Sequence, residues 1–114
     1  MNTTRIGKKG EKIACDYLIK NEFEICETNF RYRRNEIDII AKKNNLLLFI
    51  EVKFRKSTAF GYPEEAVDTK KIQCMKEAAE YYIEKINWIR DIRFDTISIL
   101  MNKEIEIIHF KDSF

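Results

Sequence analysis

The sequence predicts an α/β fold, a mixed central β-sheet flanked by helices in the order α-β-β-β-α-β-β. Three observations predict it. Two stretches repeat their apolar residues at helical spacing, five shorter runs are rich in Ile, Leu and Phe, and the few turn-forming residues fall between these runs. A chain of 114 residues has room for one domain, residues 1–114, burying about two-thirds of the surface its unfolded form exposes. At 45% hydrophobic and 35% charged residues, the composition suits a packed core rather than a disordered chain.

The first helical stretch is "EKIACDYLIKN", residues 11–21, with Gly7 and Gly10 read as preceding it. Its face Glu11, Ala14, Cys15, Leu18 follows the i, i+3, i+4, i+7 spacing, so Glu11 heads the apolar stripe. "FEICETNF" reads as a short strand and "RYRRN" as a basic turn. "EIDIIA" reads as a strand with Glu36, Asp38 and Ile40 on one face. Asn44-Asn45 supports a hairpin turn into "LLLFIEVKFR", residues 46–55. Residues 56–64, "KSTAFGYPE", form the only loop with both Gly and Pro. The second helix, "TKKIQCMKEAAEYYIEKI", places Ile72, Met75, Ala79, Tyr82, Ile83 and Ile86 on one side, with Asp68 or Thr69 as N-cap. "IRFDTISIL" and "EIEIIHF" close the chain as a strand pair around Asn102-Lys103.

Several function classes drop out on composition. No apolar run approaches the roughly 20 residues of a membrane span, and "MNTTRIGKKGEK" lacks the apolar core of a secretory signal, so a cytoplasmic protein without membrane contact is expected. Cys15, Cys26 and Cys74 are odd in number and widely spaced, which suggests neither a disulfide framework nor a zinc site; they read as small apolar core residues. There is no Walker A motif, no G-x-G-x-x-G and no nucleophile elbow. His109, the only histidine, rules out a two-histidine phosphodiesterase centre and reads as a partly exposed strand residue.

Charge is unevenly spread. Residues 31–56 carry eight bases (Arg31, Arg33, Arg34, Lys42, Lys43, Lys53, Arg55, Lys56) against three acids, a local +5 within a chain of net +2. That asymmetry favours a polyanionic partner, although a solvated basic surface would look the same. Tyr32 and Phe60, beside basic residues in expected loops, are candidates for base or sugar contacts.

The run "LLLFIEVKFRK" poses a sharper problem, because five apolar residues lead into Glu51 and Lys53. A buried strand does not carry a carboxylate and an ammonium unless something offsets their desolvation. Residues two apart share a face, so Glu51 and Lys53 point the same way, and Asp38 on the neighbouring strand can join them. With the helix bearing Glu11 packed over that face, three carboxylates and one ammonium would converge. Such a cluster repels itself unless a cation enters, and sparse oxygen ligands suit Mg²⁺. Plain structural readings exist beside this one: Glu11 as a first-turn acid of its helix, and Asp38 with Lys53 as a cross-strand ion pair.

At these residues the chain resembles a known family. "GEKIACDYL", "NFRYRRNEIDIIA", "FIEVKFRKS", "GYPEEAV", "KIQCMKEAAEYYI" and "IRFDTISI" look like the YraN-like family of predicted bacterial endonucleases, over nearly the whole chain from Gly7 to Phe114. That family is similar to archaeal Holliday-junction resolvases of the restriction-endonuclease-like, PD-(D/E)xK fold. The resemblance implies metal-binding carboxylates at Asp38 and Glu51 and a catalytic lysine at Lys53; the carbonyl of Val52, between Glu51 and Lys53 on the strand, is expected to help hold the metal. It further implies a helix glutamate at Glu11 and a recurrent base at Lys71. Glu36 matches the family's "GEID" glutamate, with Asn35 replacing the glycine; Asn tolerates a left-handed backbone, so the turn should survive.

Taken together, these readings lead to the expectation of a metal-dependent endonuclease using Mg²⁺ or Mn²⁺ on nucleic acid, with branched or structured DNA the expected substrate. Arg31, Arg33, Arg34, Arg55 and Lys71 would contact phosphates, and a homodimer is implied by the resemblance. The alternative is a non-catalytic nucleic-acid-binding accessory protein of recombination, repair or DNA uptake.

Overall fold

The structure, a computed structural model, describes residues 3–55 and 69–114, with side chains from residue 8 onward. The elements are α1 (Thr3–Lys20), β1 (Glu24–Tyr32), β2 (Asn35–Lys43), β3 (Leu46–Arg55), α2 (Thr69–Ile86), β4 (Asp91–Met101) and β5 (Ile105–Phe110). This is the expected order, and the expected mixed α/β class. The strands form one sheet in chain order, β1-β2-β3-β4-β5. β1–β2, β2–β3 and β4–β5 are antiparallel hairpins, whereas β3 and β4 run parallel from Leu46↔Asp91 to Arg55↔Leu100. A parallel pair needs a crossover, and α2 lies in it.

The two helices cover opposite faces. α1 packs Ala14 and Leu18 against Ile39, Ala41, Leu48, Ile50, Ile97 and Ile99. α2 packs Met75, Ala78, Ala79 and Tyr82 against Phe30, Ile37, Ile40, Leu47 and Phe49. On β3 the alternation therefore sends Leu47, Phe49 and Glu51 toward α2, and Leu48, Ile50 and Val52 toward α1.

α2 begins and ends where its periodicity does, with Met75, Ala79 and Tyr82 buried as expected and Ile86 39% exposed at its end. Helix α1 differs from the sequence reading, since it starts eight residues earlier and contains Gly7 and Gly10 instead of following them. Gly10 is buried against Phe54, and a Cβ there would sit 2.8 Å from Phe54 Cδ2. Its place in the helix reflects close helix–sheet approach, which composition cannot distinguish from a helix breaker. The loop 56–64, Lys56, Phe60 and the N-cap candidate Asp68 lie outside the described residues.

The Asn44-Asn45 hairpin is present, with Asn44 at φ 55°. The preceding turn is tighter than "RYRRN" suggested, because Arg31 and Tyr32 belong to β1 and only Arg33-Arg34 connect the strands. Its left-handed residue is Arg33, at φ 59°, and not Asn35. Asn35 is buried instead, its amide donating to Glu77 Oε2 at 3.2 Å. The expected alternation over 36–40 also slips: Ile37 and Ile40, three residues apart, join the same core. Opposite Asp38, Asn29 takes φ 51° between the pairs Thr28↔Ile39 and Phe30↔Ile37, and the register of the β1–β2 ribbon shifts further along, between Ile25 and Glu27. Among the described residues, no helix is long and apolar enough to cross a membrane.

Candidate functional site

Asn29 stands beside the charged cluster. Pairing between β2 and β3 runs from Lys43↔Leu46 to Ile39↔Ile50 and stops there. Beyond it the Val52 N–H donates to Asp38 Oδ2 at 2.7 Å, so a side-chain carboxylate takes a bond that a strand carbonyl accepts elsewhere in the ladder. Where the strands part, Asp38 and Glu51 line one cavity of ≈ 390 Å³, together with Arg34, Asn35, Glu36, Lys70 and Lys71. Two acids from neighbouring strands thus reach a shared cleft.

Glu51 is only 4% exposed. Its Oε1 accepts from Lys71 Nζ at 2.7 Å, while Oε2 is buried with no hydrogen-bond partner among the described residues. An unsatisfied buried carboxylate oxygen is costly and calls for an explanation. Burial pushes the Asp38 carboxyl up to about 6, against the opposing Val52 amide and Lys71 ammonium, and Glu51 and Glu36 add to the rise. Burial disfavours the charge on Lys71, but its bond to Glu51 and the charges of Glu51, Asp38 and Glu36 together outweigh that, and its pKa is raised.

Glu11 lies on the other side of Asp38. It lines a second cavity, of ≈ 320 Å³, with Lys8, Asn29, Arg31, Glu36, Asp38 and Val52. Asn29 Nδ2 donates to Glu11 Oε1 at 2.7 Å. Burial raises the Glu11 pKa, Asn29 offsets this, Glu36 raises it further and Lys8 lowers it. Glu11 and Glu51 therefore do not meet in one cleft; Asp38 and Glu36 form the wall between two. Among the described residues, no group of three or more His, Cys, Asp or Glu side chains is arranged to hold a metal ion unaided. Glu11 also stands well inside α1, which removes the first-turn reading of it.

The bases divide similarly. Arg34 and Lys71 line Glu51's cavity, and Arg31, 3.4 Å from Glu36 Oε2, lines that of Glu11. Arg33 turns away, its guanidinium 5.1 Å from the Tyr32 ring centroid, beside Glu77, Glu80 and Glu84. Arg55 is exposed at the end of β3. Lys53 is half-buried opposite Ser98, and the described lining of neither cavity includes it.

The model of the uncharacterised protein family UPF0102 matches residues 10–99. The chain belongs to UPF0102. It is 44% identical over 110 residues to a UPF0102 protein of Christiangramia forsetii, covering 96% of this chain and 92% of that one. A UPF0102 protein of Caldicellulosiruptor bescii is 44% identical over 120 residues and the whole of both chains. One of Dictyoglomus thermophilum is 45% identical over 112 residues, 97% of this chain and 95% of its own. The span matched to UPF0102 contains Glu11, Asp38, Glu51, Lys53 and Lys71 and ends before His109.

Some polar residues of this UPF0102 chain carried no signal in the sequence reading. Lys8, Asn29 and Lys70 line the two clefts. His109 lies in β5 and is half-buried, as expected, but its side chain is only 8% exposed and bonded at both ring nitrogens, to Asp95 and to Tyr17. The three cysteines are free and half-buried, as small apolar residues, and Cys74 borders the Glu51 cavity.

Proposed function

We propose that this UPF0102 protein is a metal-dependent endonuclease hydrolysing phosphodiesters of nucleic acid, with branched or structured DNA as its substrate. The observation that carries the reading is the Glu51 carboxylate, buried with Oε2 unpartnered in the cleft it shares with Asp38. A cation fits that vacant acceptor, and an all-oxygen donor set of Asp38, Glu51 and the Val52 carbonyl suits Mg²⁺ or Mn²⁺, with water and phosphate completing the sphere. When bound, such a cation polarises a phosphodiester and acidifies water.

The chain's own groups have distinct tasks in this scheme. Asp38, bonded to the Val52 amide, is fixed in place. Lys71 holds one oxygen of Glu51 and balances the cluster's charge before ligands arrive. Lys53 orients the attacking water, and Glu11 acts through the second cleft beside Asp38. Arg31, Arg34 and Arg55 contact phosphates flanking the scissile bond, whereas Arg33 acts further out, beside Tyr32. By resemblance to resolvases, two copies would cut two strands.

That no three or more His, Cys, Asp or Glu side chains among the described residues are placed to hold a metal ion favours a second reading, a nucleic-acid-binding protein without catalysis. Linear, flapped, forked and four-way DNA, incubated with Mg²⁺ or Mn²⁺, separates the two. The nuclease cuts, and loses cutting in Asp38→Ala and Glu51→Ala while both variants stay folded and bind DNA in a salt-dependent way. If wild type binds every substrate and cuts none, the binder reading replaces it.

A further inference from the structure

A second polar assembly lies away from Asp38 and plays no part in the chemistry above. Asp95 on β4 is fully buried. Its Oδ1 accepts from Arg93 Nε at 2.8 Å and from the Asp112 N–H at 2.9 Å. Its Oδ2 accepts from Arg93 Nη2 at 2.9 Å and from His109 Nε2 at 2.7 Å. Burial opposes the charge, but His109, Arg93 and the Asp112 amide outweigh it and bring the Asp95 carboxyl down to about 2. An ionised carboxylate only accepts, so His109 Nε2 carries the hydrogen, and in the neutral ring Nδ1 accepts from the Tyr17 hydroxyl at 2.9 Å. Tyr17 is no nucleophile here, because burial and Asp95 raise its pKa and keep the phenol protonated.

The consequence is a guanidinium clamped along one edge. Arg93 spends Nε and Nη2 on Asp95. Beside it opens a cavity of ≈ 260 Å³ whose lining includes Tyr17, Asn21, Lys43, Arg93, His109 and Lys111. Three of its described lining residues are cations and none is an Asp or Glu. Lys43 is steadied by the Asn21 carbonyl at 3.1 Å and by the Phe23 ring. Glu22, 3.9 Å from Lys43, is 84% exposed and thus screened by solvent.

We infer that this cavity is a phosphate-binding site, with Arg93, Lys43 and Lys111 as its cationic ligands. A planar guanidinium held rigid by Asp95 suits the tetrahedral oxygens of phosphate, and two lysines add point charges. Asp95 offsets the Arg93 charge, and Asp112 also lies near it, so Lys43 and Lys111 supply the attraction for an incoming anion while Arg93 supplies directed N–H groups. Leu46, which also lines the cavity, lies five residues before Glu51 on β3, about 17 Å at strand spacing. The site is therefore separate from the Asp38 clefts and does not depend on whether they cut nucleic acid.

The test uses the full chain and follows the side-chain NMR signals of His109 and Arg93. Inorganic phosphate is titrated against chloride at matched ionic strength, beside the same oligonucleotide with and without a 5′-phosphate. The expected result is a saturable, phosphate-specific shift, weakened about fivefold or more in Lys111→Gln and in Lys43→Gln, and unchanged in Glu51→Ala. Response to inorganic phosphate with only the phosphorylated oligonucleotide assigns a terminal phosphate, and equal response to both oligonucleotides assigns a backbone phosphate. Response to inorganic phosphate alone assigns a free phosphate; all three uphold the site. Arg93→Met would strand Asp95, so the lysine variants carry the test, with folding checked by amide spectra. No saturable response to any probe, or affinity unchanged in both lysine variants, overturns the inference.

Discussion

Asp38→Asn should make the protein more stable at alkaline pH and flatten part of its pH dependence. The folded-state carboxyl titrates at about 6 rather than 3.8, a gap of about two units, or about 3 kcal/mol of cost for ionising it in place. The sign follows from proton counting. Between these two values the folded state holds more protons than the unfolded one, so stability rises as pH falls through the window and the full cost is felt above it. Relative to fully alkaline solution, the carboxyl should return about 1.4 kcal/mol at about pH 5 and about 2.4 kcal/mol at about pH 4. In Asp38→Asn the amide oxygen still accepts from the Val52 N–H, but without its charge assistance, worth about 1 kcal/mol. The net gain expected at about pH 8 is therefore about 1–2 kcal/mol. The assay is urea unfolding in EDTA buffer, read by fluorescence of Trp88, the single tryptophan, with wild type and variant compared at each pH. Using the difference removes carboxyls common to both proteins, Glu11 among them. A difference that stays constant from about pH 4 to about pH 8, or a variant less stable than wild type in alkali, would refute the reasoning.

Two further outcomes follow from named contacts. Lys71→Met strips Glu51 Oε1 of its Lys71 ion pair, and with Lys71 53% exposed the loss should be about 1–3 kcal/mol in the same unfolding assay; Mn²⁺ should reduce it, and an equal loss with and without Mn²⁺ counts against a cation at Glu51. Gly10→Ala sets a gain of about 1 kcal/mol in helix propensity against a Cβ 2.8 Å from Phe54 Cδ2 and 3.2 Å from its Cβ. Overpacking costs about 1–3 kcal/mol, so guanidinium melts should show no gain and up to about 2 kcal/mol of loss, whereas a clear stabilisation would mean that Phe54 moves aside freely.

The sequence revealed what depends on near neighbours. Helix α2 could be read from end to end because its apolar spacing is uninterrupted, and Asn44-Asn45 announced its own turn. The start of α1 was hidden, since the reason for Gly10 is Phe54, forty-four positions away. Asp38 and Glu51 could be brought together from hairpin pairing alone. The separation of Glu11 from Glu51 could not, because it rests on the Asn29 amide that holds Glu11 and on the early end of the β2–β3 ladder. Lys71 was visible as a base but not as the partner of Glu51, which requires the docking of α2. The Arg93, Asp95, His109 and Tyr17 chain joins α1, β4 and β5, and no local pattern predicts such a register.

The strand order has a consequence for how the molecule assembles. β1, β2 and β3 form a meander closed by two-residue turns, while the β3–β4 pair joins Leu46 to Asp91 across forty-five positions. Short loops close at lower entropic cost than long ones, so the meander is the earlier-forming half. Asp38 meets the Val52 amide in that first stage, and Lys71 arrives only when α2 docks. During folding the acids come together before Lys71 and attract it as α2 docks, so added salt, which screens that attraction, should slow the docking stage more than the initial collapse.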